Sequence, residues 1–242
     1  MVSAEGDLQR RLTAVTEEAW RLFDVPRPAS HGACTACCLT AEQDRAFFTR
    51  GARALGPDWL DAWLCAAFDA PAAPDLARYL LPAIFQALQD DTDFTFGTDG
   101  ALKRFRTGDG TFWTGAERAL ILRWRTALID SLRVDGVYAL DEILCVFCRD
   151  GHPPGPMLRQ LQAWPPVDLV ERLWRDWDGG RCLRQLGHWS DRDVPAAWST
   201  EVSDWYTGPF VLHRIHEAIC DETARPDIFD KADSLLLCTG NI

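Results

Sequence analysis

Apolar residues recur every three to four positions along most of this chain, and this spacing predicts amphipathic α-helices. Between residues 7 and 23 the leucine, valine and alanine side chains form one stripe, with arginine and glutamate on the opposite side. Alternation of apolar and polar residues, which would indicate strands, is limited to short pieces such as 93–96, and such pieces are marginal without a larger sheet. The pattern therefore predicts an all-α fold.

Helix starts are indicated by capping residues and by prolines in first turns. Thr40 with Gln43, and Thr114 with Glu117, have the spacing of a capping box. Helices are expected to begin at these two threonines, and further helices are predicted at about 7–23, 57–68, 75–88, 139–149, 156–164, 166–177, 193–205, 209–223 and 226–237.

About ten short helices of this kind pack as an orthogonal bundle or as an irregular α-solenoid. With 242 residues, 47% of them hydrophobic, the chain is long enough to form a single helical domain over residues 1–242. A mobile loop or a sub-domain seam is expected near residues 90–113, because glycines stand there among aspartates and threonines. Asp75 is the predicted cap of the helix that contains Pro82, where the proline is expected to kink or restart the helix.

The net charge of −11 excludes some partners and favours others. An acidic chain without a basic run is repelled by phosphates, so no binding to nucleic acid is expected, whereas a basic protein would be attracted. The alternative is that the charge only keeps the protein in solution. No apolar run is long enough for a membrane span, and the polar N-terminus lacks the pattern of a secretory signal, so we expect a cytoplasmic protein with reduced cysteines.

A metal site is the sharpest chemistry that the sequence offers. His31, Cys34, Cys37 and Cys38 follow the order His-x-x-Cys-x-x-Cys-Cys, and imidazole and thiolate are ligands that Zn²⁺ prefers. These four residues predict a structural zinc ion, and no other cofactor is expected. The alternative is that the cysteines are small buried apolar residues.

A second group, Cys145, Cys148 and His152, follows a helical pattern and would complete such a site if it met the first group in the fold. A phosphate loop, a dinucleotide fingerprint, a nucleophile elbow and kinase motifs are all absent from the sequence. Their absence favours a protein that is not an enzyme.

An acidic segment supplies the candidate contacts for a partner. Asp90, Asp91, Asp93 and Asp99 stand in the irregular stretch between two predicted helices. The alternatives are that these carboxylates bind a cation or act as acid and base, or that they form a solvated loop, which the lack of a nearby histidine or lysine favours over the acid–base role.

Three segments carry a resemblance to known proteins. Pro-Arg-Pro at 26–28, Cys-x-x-Cys-Cys at 34–38 and Tyr-Leu-Leu-Pro at 79–82 resemble an uncharacterised family of bacterial all-helical proteins with a Trp-rich second half. No activity is implied by that resemblance. In its acidic, helical character the chain is also similar to immunity proteins, which implies a basic bacterial toxin as the partner.

These observations lead to three hypotheses of function. The first is a non-enzymatic acidic binding protein, in its most specific form an immunity protein that neutralises a bacterial toxin by direct binding. The second is a metal-binding domain or enzyme that uses the His31, Cys34, Cys37 and Cys38 cluster. The third is a scaffold that senses a small molecule in a pocket lined by tryptophan.

Overall fold

A computed structural model describes residues 4–36, 38–66, 71–95, 98–134, 136–178, 194–221 and 225–239. These residues form helices and contain no strand, which confirms the predicted all-α class. The α-helices in the described part of the chain are α1 (Ala4–Leu22), α2 (Ala41–Thr49), α3 (Pro57–Ala66), α4 (Pro74–Gln89), α5 (Gly115–Ser131), α6 (Leu140–Arg149), α7 (Pro154–Gln162), α8 (Pro166–Asp178), α9 (Ala196–Thr207), α10 (Pro209–Ile219) and α11 (Asp227–Thr239). Short 3₁₀-helices cover Ala52–Ala54 and Thr98–Gly100.

Both predicted capping boxes are confirmed. The Thr40 hydroxyl accepts from the Gln43 amide at 3.2 Å, and the Gln43 side chain accepts from the Thr40 amide at 2.9 Å. Before α5, Glu117 accepts from the Thr114 amide at 2.7 Å and its own amide donates to the Thr114 hydroxyl at 3.3 Å. Each box satisfies amide groups that a helix start leaves without an intrahelical partner.

The prediction for the start of α4 was wrong by two residues. Ala73 is the N-cap and Pro74 is the first helical residue, so Asp75 lies inside the first turn. The Asp75 carboxylate accepts from the next amide, that of Leu76, at 2.9 Å. Proline is well suited to the first turn because it lacks the amide hydrogen that has no partner there. The helix continues through the buried Pro82 and does not restart.

The chain folds into two compact units. The first comprises Met1–Leu128 with Arg149–His152, and the second comprises Ile129–Cys148 with Pro153–Ile242. The division falls inside α5, and the predicted seam at 90–113 lies within the first unit. The single-domain organisation stays a prediction.

In the first unit, α4 packs against α1 and α3. Aromatic rings fill its core: Phe85 of α4 stacks on Trp124 of α5 with ring centroids 3.8 Å apart. The indole of Trp124 also donates to the Thr16 hydroxyl of α1 at 3.0 Å, which joins a third helix to this core. The large rings therefore serve as packing mass between helices.

In the second unit, α8, α10 and α11 pack against one another, and α9 packs against α7 and α10. Helix α6 is buried along almost its whole length. None of the described helices has the length and apolar character that crossing a bilayer requires.

Candidate functional site

Two neighbouring cavities in the first unit share a wall formed by Trp20 and Arg53. We name them the Arg27 cavity, of about 420 Å³, and the Asp90 cavity, of about 370 Å³. Each name is that of a residue that lines one cavity and not the other. Both volumes lie in the range typical of ligand sites. The end of α1, the 3₁₀-helix at 52–54 and α4 supply residues to both.

The shared wall is a cation–aromatic contact. The Arg53 guanidinium lies over the Trp20 ring, 5.1 Å from its centroid. Arg53 also forms an exposed ion pair with Glu17 of α1. The ring therefore already contacts one guanidinium group, as the negative electrostatic potential of an aromatic face favours.

The Arg27 cavity is lined by aromatic rings and by charged groups of both signs. Its walls include three rings, two guanidinium groups and one carboxylate, supplied by Trp20, Phe23, Asp24, Arg27, Arg53 and Tyr79. The Arg27 side chain is fixed by uncharged acceptors: Nε donates to the Tyr79 hydroxyl at 3.3 Å, and Nη2 donates to the Arg50 carbonyl at 2.7 Å. Nη1 donates to the Phe48 carbonyl. The charge of Arg27 is thus held in place without being neutralised by a carboxylate in the described part of the chain.

The Asp90 cavity combines an apolar wall with a carboxylate at its edge. Leu55, Pro57, Leu60, Ala83 and Ala87 supply apolar surface, and Gln86, Asp90, Thr92 and the Glu17-paired Arg53 supply polar groups. The Gln86 side-chain amide lies 2.9 Å from both oxygens of the exposed Asp90 carboxylate. This contact orients a charged group that would otherwise rotate in solvent.

The acidic loop is anchored to α3. Asp61 of α3 accepts from the backbone amide of Thr95 at 2.8 Å and from its hydroxyl at 2.6 Å. Among the four predicted contact residues, Asp90 and Asp93 are exposed and Asp91 is half-buried with a φ of +54°. The backbone of Asp99 belongs to the 3₁₀-helix at 98–100, and its side chain lies outside the described residues.

His31 occupies a buried position among rings of the first unit. Its Nδ1 accepts from the Ala33 amide at 3.1 Å, which leaves the proton on Nε2, and Nε2 lies 2.8 Å from the Asp44 carboxylate. The His31 carbonyl accepts from the Trp63 indole at 2.7 Å. Both ring nitrogens therefore have protein partners.

The predicted metal ligands are only partly described. Cys34 and Cys38 are exposed on a turn closed by the 3.1 Å bond from the Leu39 amide to the Cys34 carbonyl, and Cys37 lies outside the described residues. Within the described ranges no three His, Cys, Asp or Glu side chains are grouped so as to hold a metal ion. The zinc site stays a prediction.

The second predicted group is divided between the two units. Cys145 and Cys148 are buried in α6, within the second unit, while His152 belongs to the first. His152 instead forms a buried polar cluster with Thr107, Arg125 and Asp150, which we name the clasp.

Hydrogen bonds run through the clasp in one direction. The Arg125 Nη1 donates to His152 Nδ1 at 3.2 Å, so the ring proton is on Nε2, which lies 2.9 Å from the Thr107 hydroxyl. That hydroxyl and the Thr107 amide, the latter at 2.8 Å, both donate to Asp150 Oδ2. Because His152 donates to Thr107, it is not arranged to remove the threonine proton as a catalytic triad requires. All four side chains are buried, so the clasp holds the segment 149–152 against the loop at 107 and 108.

Burial shifts the pKa values of the clasp in opposite directions. It lowers the pKa of His152 to about 4, with a further lowering from the charge of Arg125. It raises the pKa of Asp150 well above its usual value, against the lowering by hydrogen bonds from the backbone of Thr107 and Arg106.

We expect His152 to make the fold sensitive to acid. Its pKa is about 4 in the fold against 6.5 in the unfolded chain, so stability present above pH 6.5 is lost as the pH falls toward 4, by up to about 1.4 kcal/mol per pH unit. Asp150 acts in the opposite sense, because its raised pKa favours the protonated folded state at low pH.

The check is urea unfolding across that pH range in the wild type, in His152→Gln and in His213→Gln. The free energy of unfolding should depend less steeply on pH in His152→Gln than in the wild type. It should depend on pH as in the wild type in His213→Gln, whose side chain is exposed. A pH dependence in His152→Gln as steep as that of the wild type would contradict the role of His152 in the acid sensitivity.

A second buried polar cluster lies in the second unit. Arg172 of α8 donates to the Asp176 carboxylate at 2.7 Å and to the carbonyls of Leu132, at 3.3 Å, and Tyr138. Asp176 also accepts from the Leu140 amide at the start of α6, at 3.0 Å, while burial raises its pKa. The cluster joins α8 to the segment before α6, and its members are too enclosed to meet a substrate.

Sequence reasoning identified Asp90 but missed Trp20, Arg27 and Arg53. These residues come from α1, the following loop and a 3₁₀-helix, and their common walls form only when α4 packs beneath them. The density of tryptophans is the single signal that pointed toward such a pocket. No protein-family model, curated protein or solved structure matches this chain.

Proposed function

We propose that this protein is a non-enzymatic binding protein for a basic protein partner, and that the Asp90 cavity receives a lysine or arginine side chain of that partner. The observation that carries the proposal is the presence, in one cavity, of an oriented carboxylate and an aromatic ring. Asp90 is held by Gln86, and Trp20 already contacts the guanidinium of Arg53.

The cavity walls match the two parts of a long cationic side chain. Leu60, Pro57 and Ala83 offer apolar surface for the methylene stem, while Asp90 at the edge offers a charge for the head group. A charged hydrogen bond of this kind is stronger than a neutral one. The few residues that dominate the affinity of an interface typically insert into a cavity of this kind on the partner.

The charge of the whole chain supports the same class of partner. A net charge of −11 attracts a basic protein over a distance set by the ionic strength, and exposed Asp93 adds to the field near the cavity. Non-enzymatic binding is supported by the burial of the clasp and of the Arg172 cluster, because neither of them lines either cavity.

In its most specific form the proposal is a cytoplasmic immunity protein that covers the basic cleft of a bacterial toxin. Rigid helices present carboxylates to such a cleft without a large ordering cost. The support for this form is the acidic helical character of the chain, and the toxin is expected to be encoded next to its gene.

Asp90→Asn with Asp93→Asn is expected to weaken binding of an arginine–glycine repeat peptide by about tenfold, since the oriented charge is lost. Fluorescence anisotropy of labelled peptide at low ionic strength gives the affinity. The matched control is Asp230→Asn with Asp233→Asn, which removes the same charge from an exposed face of α11 and is expected to change affinity far less.

Nuclear magnetic resonance locates the contact. The indole signal of Trp20, assigned with Trp20→Phe, is expected to shift as the peptide is added and to stay in place in the Asp90 and Asp93 double variant. Equal affinity in the two double variants, or an unmoved Trp20 signal, overturns the cavity proposal.

For the immunity form, the wild type but not the Asp90 and Asp93 double variant should restore growth of cells that express a toxin encoded beside the gene.

A further inference from the structure

Beside the shared Arg53, the Arg27 cavity is lined by an arginine and an aspartate, whereas the Asp90 cavity is lined by an aspartate alone among charged groups. The lining of the Arg27 cavity carries two guanidinium groups and the Asp24 carboxylate, and because Arg53 is paired with Glu17, Arg27 is the cation of this lining that has no ion pair among the described residues. An arginine without a carboxylate partner can bind a small anion, and a cavity of about 420 Å³ is large enough to admit one.

Arg27 is the group in this cavity that is best placed to hold an anion. The Tyr79 hydroxyl and the carbonyls of Arg50 and Phe48 fix its guanidinium through one hydrogen bond from each nitrogen. Tyr79 is itself buried and lies 3.5 Å from the Arg50 carbonyl, so the support is also held in place. Because these partners are uncharged, the positive charge and one N–H of each Nη atom remain for a ligand.

The rest of the lining favours a flat apolar body. The rings of Trp20, Phe23 and Tyr79 line the same space, and aromatic surfaces pack planar rings in offset or edge contacts. The planar guanidinium matches a carboxylate through paired hydrogen bonds.

We propose that the Arg27 cavity binds a small aromatic carboxylate, with the carboxylate on Arg27 and the ring among Trp20, Phe23 and Tyr79. This site adjoins the one proposed for the basic partner through Trp20 and Arg53, and it takes a ligand of the opposite charge. Asp24 lines the cavity as well, so an amino group on the ligand would have a carboxylate nearby.

Isothermal titration calorimetry of the full chain tests the proposal with three probes of similar shape. These are 3-phenylpropionate, which is an anion, phenylalanine, which is a zwitterion, and phenethylamine, which is a cation. We expect 3-phenylpropionate to bind and phenethylamine not to bind. Tighter binding of phenylalanine than of 3-phenylpropionate would assign Asp24 to the ammonium group and still support the site.

Two variants disturb the cavity in independent ways. Arg27→Gln removes the charge and should lower the affinity for 3-phenylpropionate by about tenfold or more. Gly51→Leu adds a side chain to the lining where a Cβ atom meets nothing within 4 Å, so it should block the cavity without a clash in the fold.

Arg10→Gln and Gly115→Leu are the matched controls, because both lie outside the cavity and Gly115 is equally open. Circular dichroism and the melting temperature verify that each variant is folded. Binding that survives Gly51→Leu, binding of phenethylamine in place of the acid, or no heat with any probe at millimolar concentration overturns the proposal.

Discussion

Replacing Arg172 by methionine is expected to lower the free energy of unfolding by about 4 kcal/mol. Arg172 is buried, and it donates to the Asp176 carboxylate and to carbonyls of the segment before α6. Methionine fills similar space but leaves the buried Asp176 carboxylate without its hydrogen-bonded cation, a loss that the charge of Arg175 offsets only in part. The loss of an opposite charge costs far more inside the protein than in water, because little solvent is present to replace it.

Arg11→Met is the matched control for this prediction. Asp7 and Arg11 of α1 form an ion pair with the same spacing of four residues at 2.9 Å, but their side chains are 48% and 67% exposed. Removing an exposed pair is expected to cost about 0.5 kcal/mol or less. Urea unfolding followed by circular dichroism measures both variants, and similar losses in the two would contradict the proposed role of burial.

Replacing Gly108 by alanine is expected to cost about 3 kcal/mol. A Cβ atom at this position would lie 2.4 Å from the Gly151 carbonyl carbon and 2.7 Å from the Asp150 carbonyl oxygen. The Gly108 amide also donates to that oxygen at 3.0 Å. Both contacts are with backbone atoms, so no side chain can turn away, and the clasp must open for the methyl group to fit.

Gly115→Ala tests whether the loss comes from the close approach alone. Nothing lies within 4 Å of a Cβ atom at Gly115, which starts α5, so alanine there should be neutral or slightly stabilising. Thermal unfolding of both variants at neutral pH provides the comparison. A Gly108 variant as stable as the Gly115 variant would show that the segment 149–152 is not held tightly.

Local features of the fold could be predicted because their causes are local. The capping boxes at Thr40 and Thr114 depend on bonds made within three residues, so their sequence spacing was sufficient. The start of α4 was misplaced because both Pro74 and Asp75 are favourable first-turn residues, and their relative weight depends on how the chain enters the helix.

The candidate site was predicted only in part. Asp90 was selected for its charge and position between helices, and it does line a cavity. The cavity itself needs Trp20 of α1, Arg53 of the 3₁₀-helix at 52–54 and Leu60 of α3, and these elements meet through packing. His152 was grouped with nearby cysteines by spacing, whereas the fold pairs it with Thr107 and Arg125.

The sequence by itself determined the all-α class, most helix positions and the acidic character, because hydrophobic period, caps and net charge are properties of neighbouring residues or of their sum. Only the tertiary structure decided which charges are buried and which face a cavity. Arg27, Arg53 and Arg172 are indistinguishable as letters, yet the first two line open cavities and the third is enclosed with Asp176. The physical reason is that burial and pairing depend on contacts between helices from distant parts of the chain. Short sequence patterns do not determine those contacts.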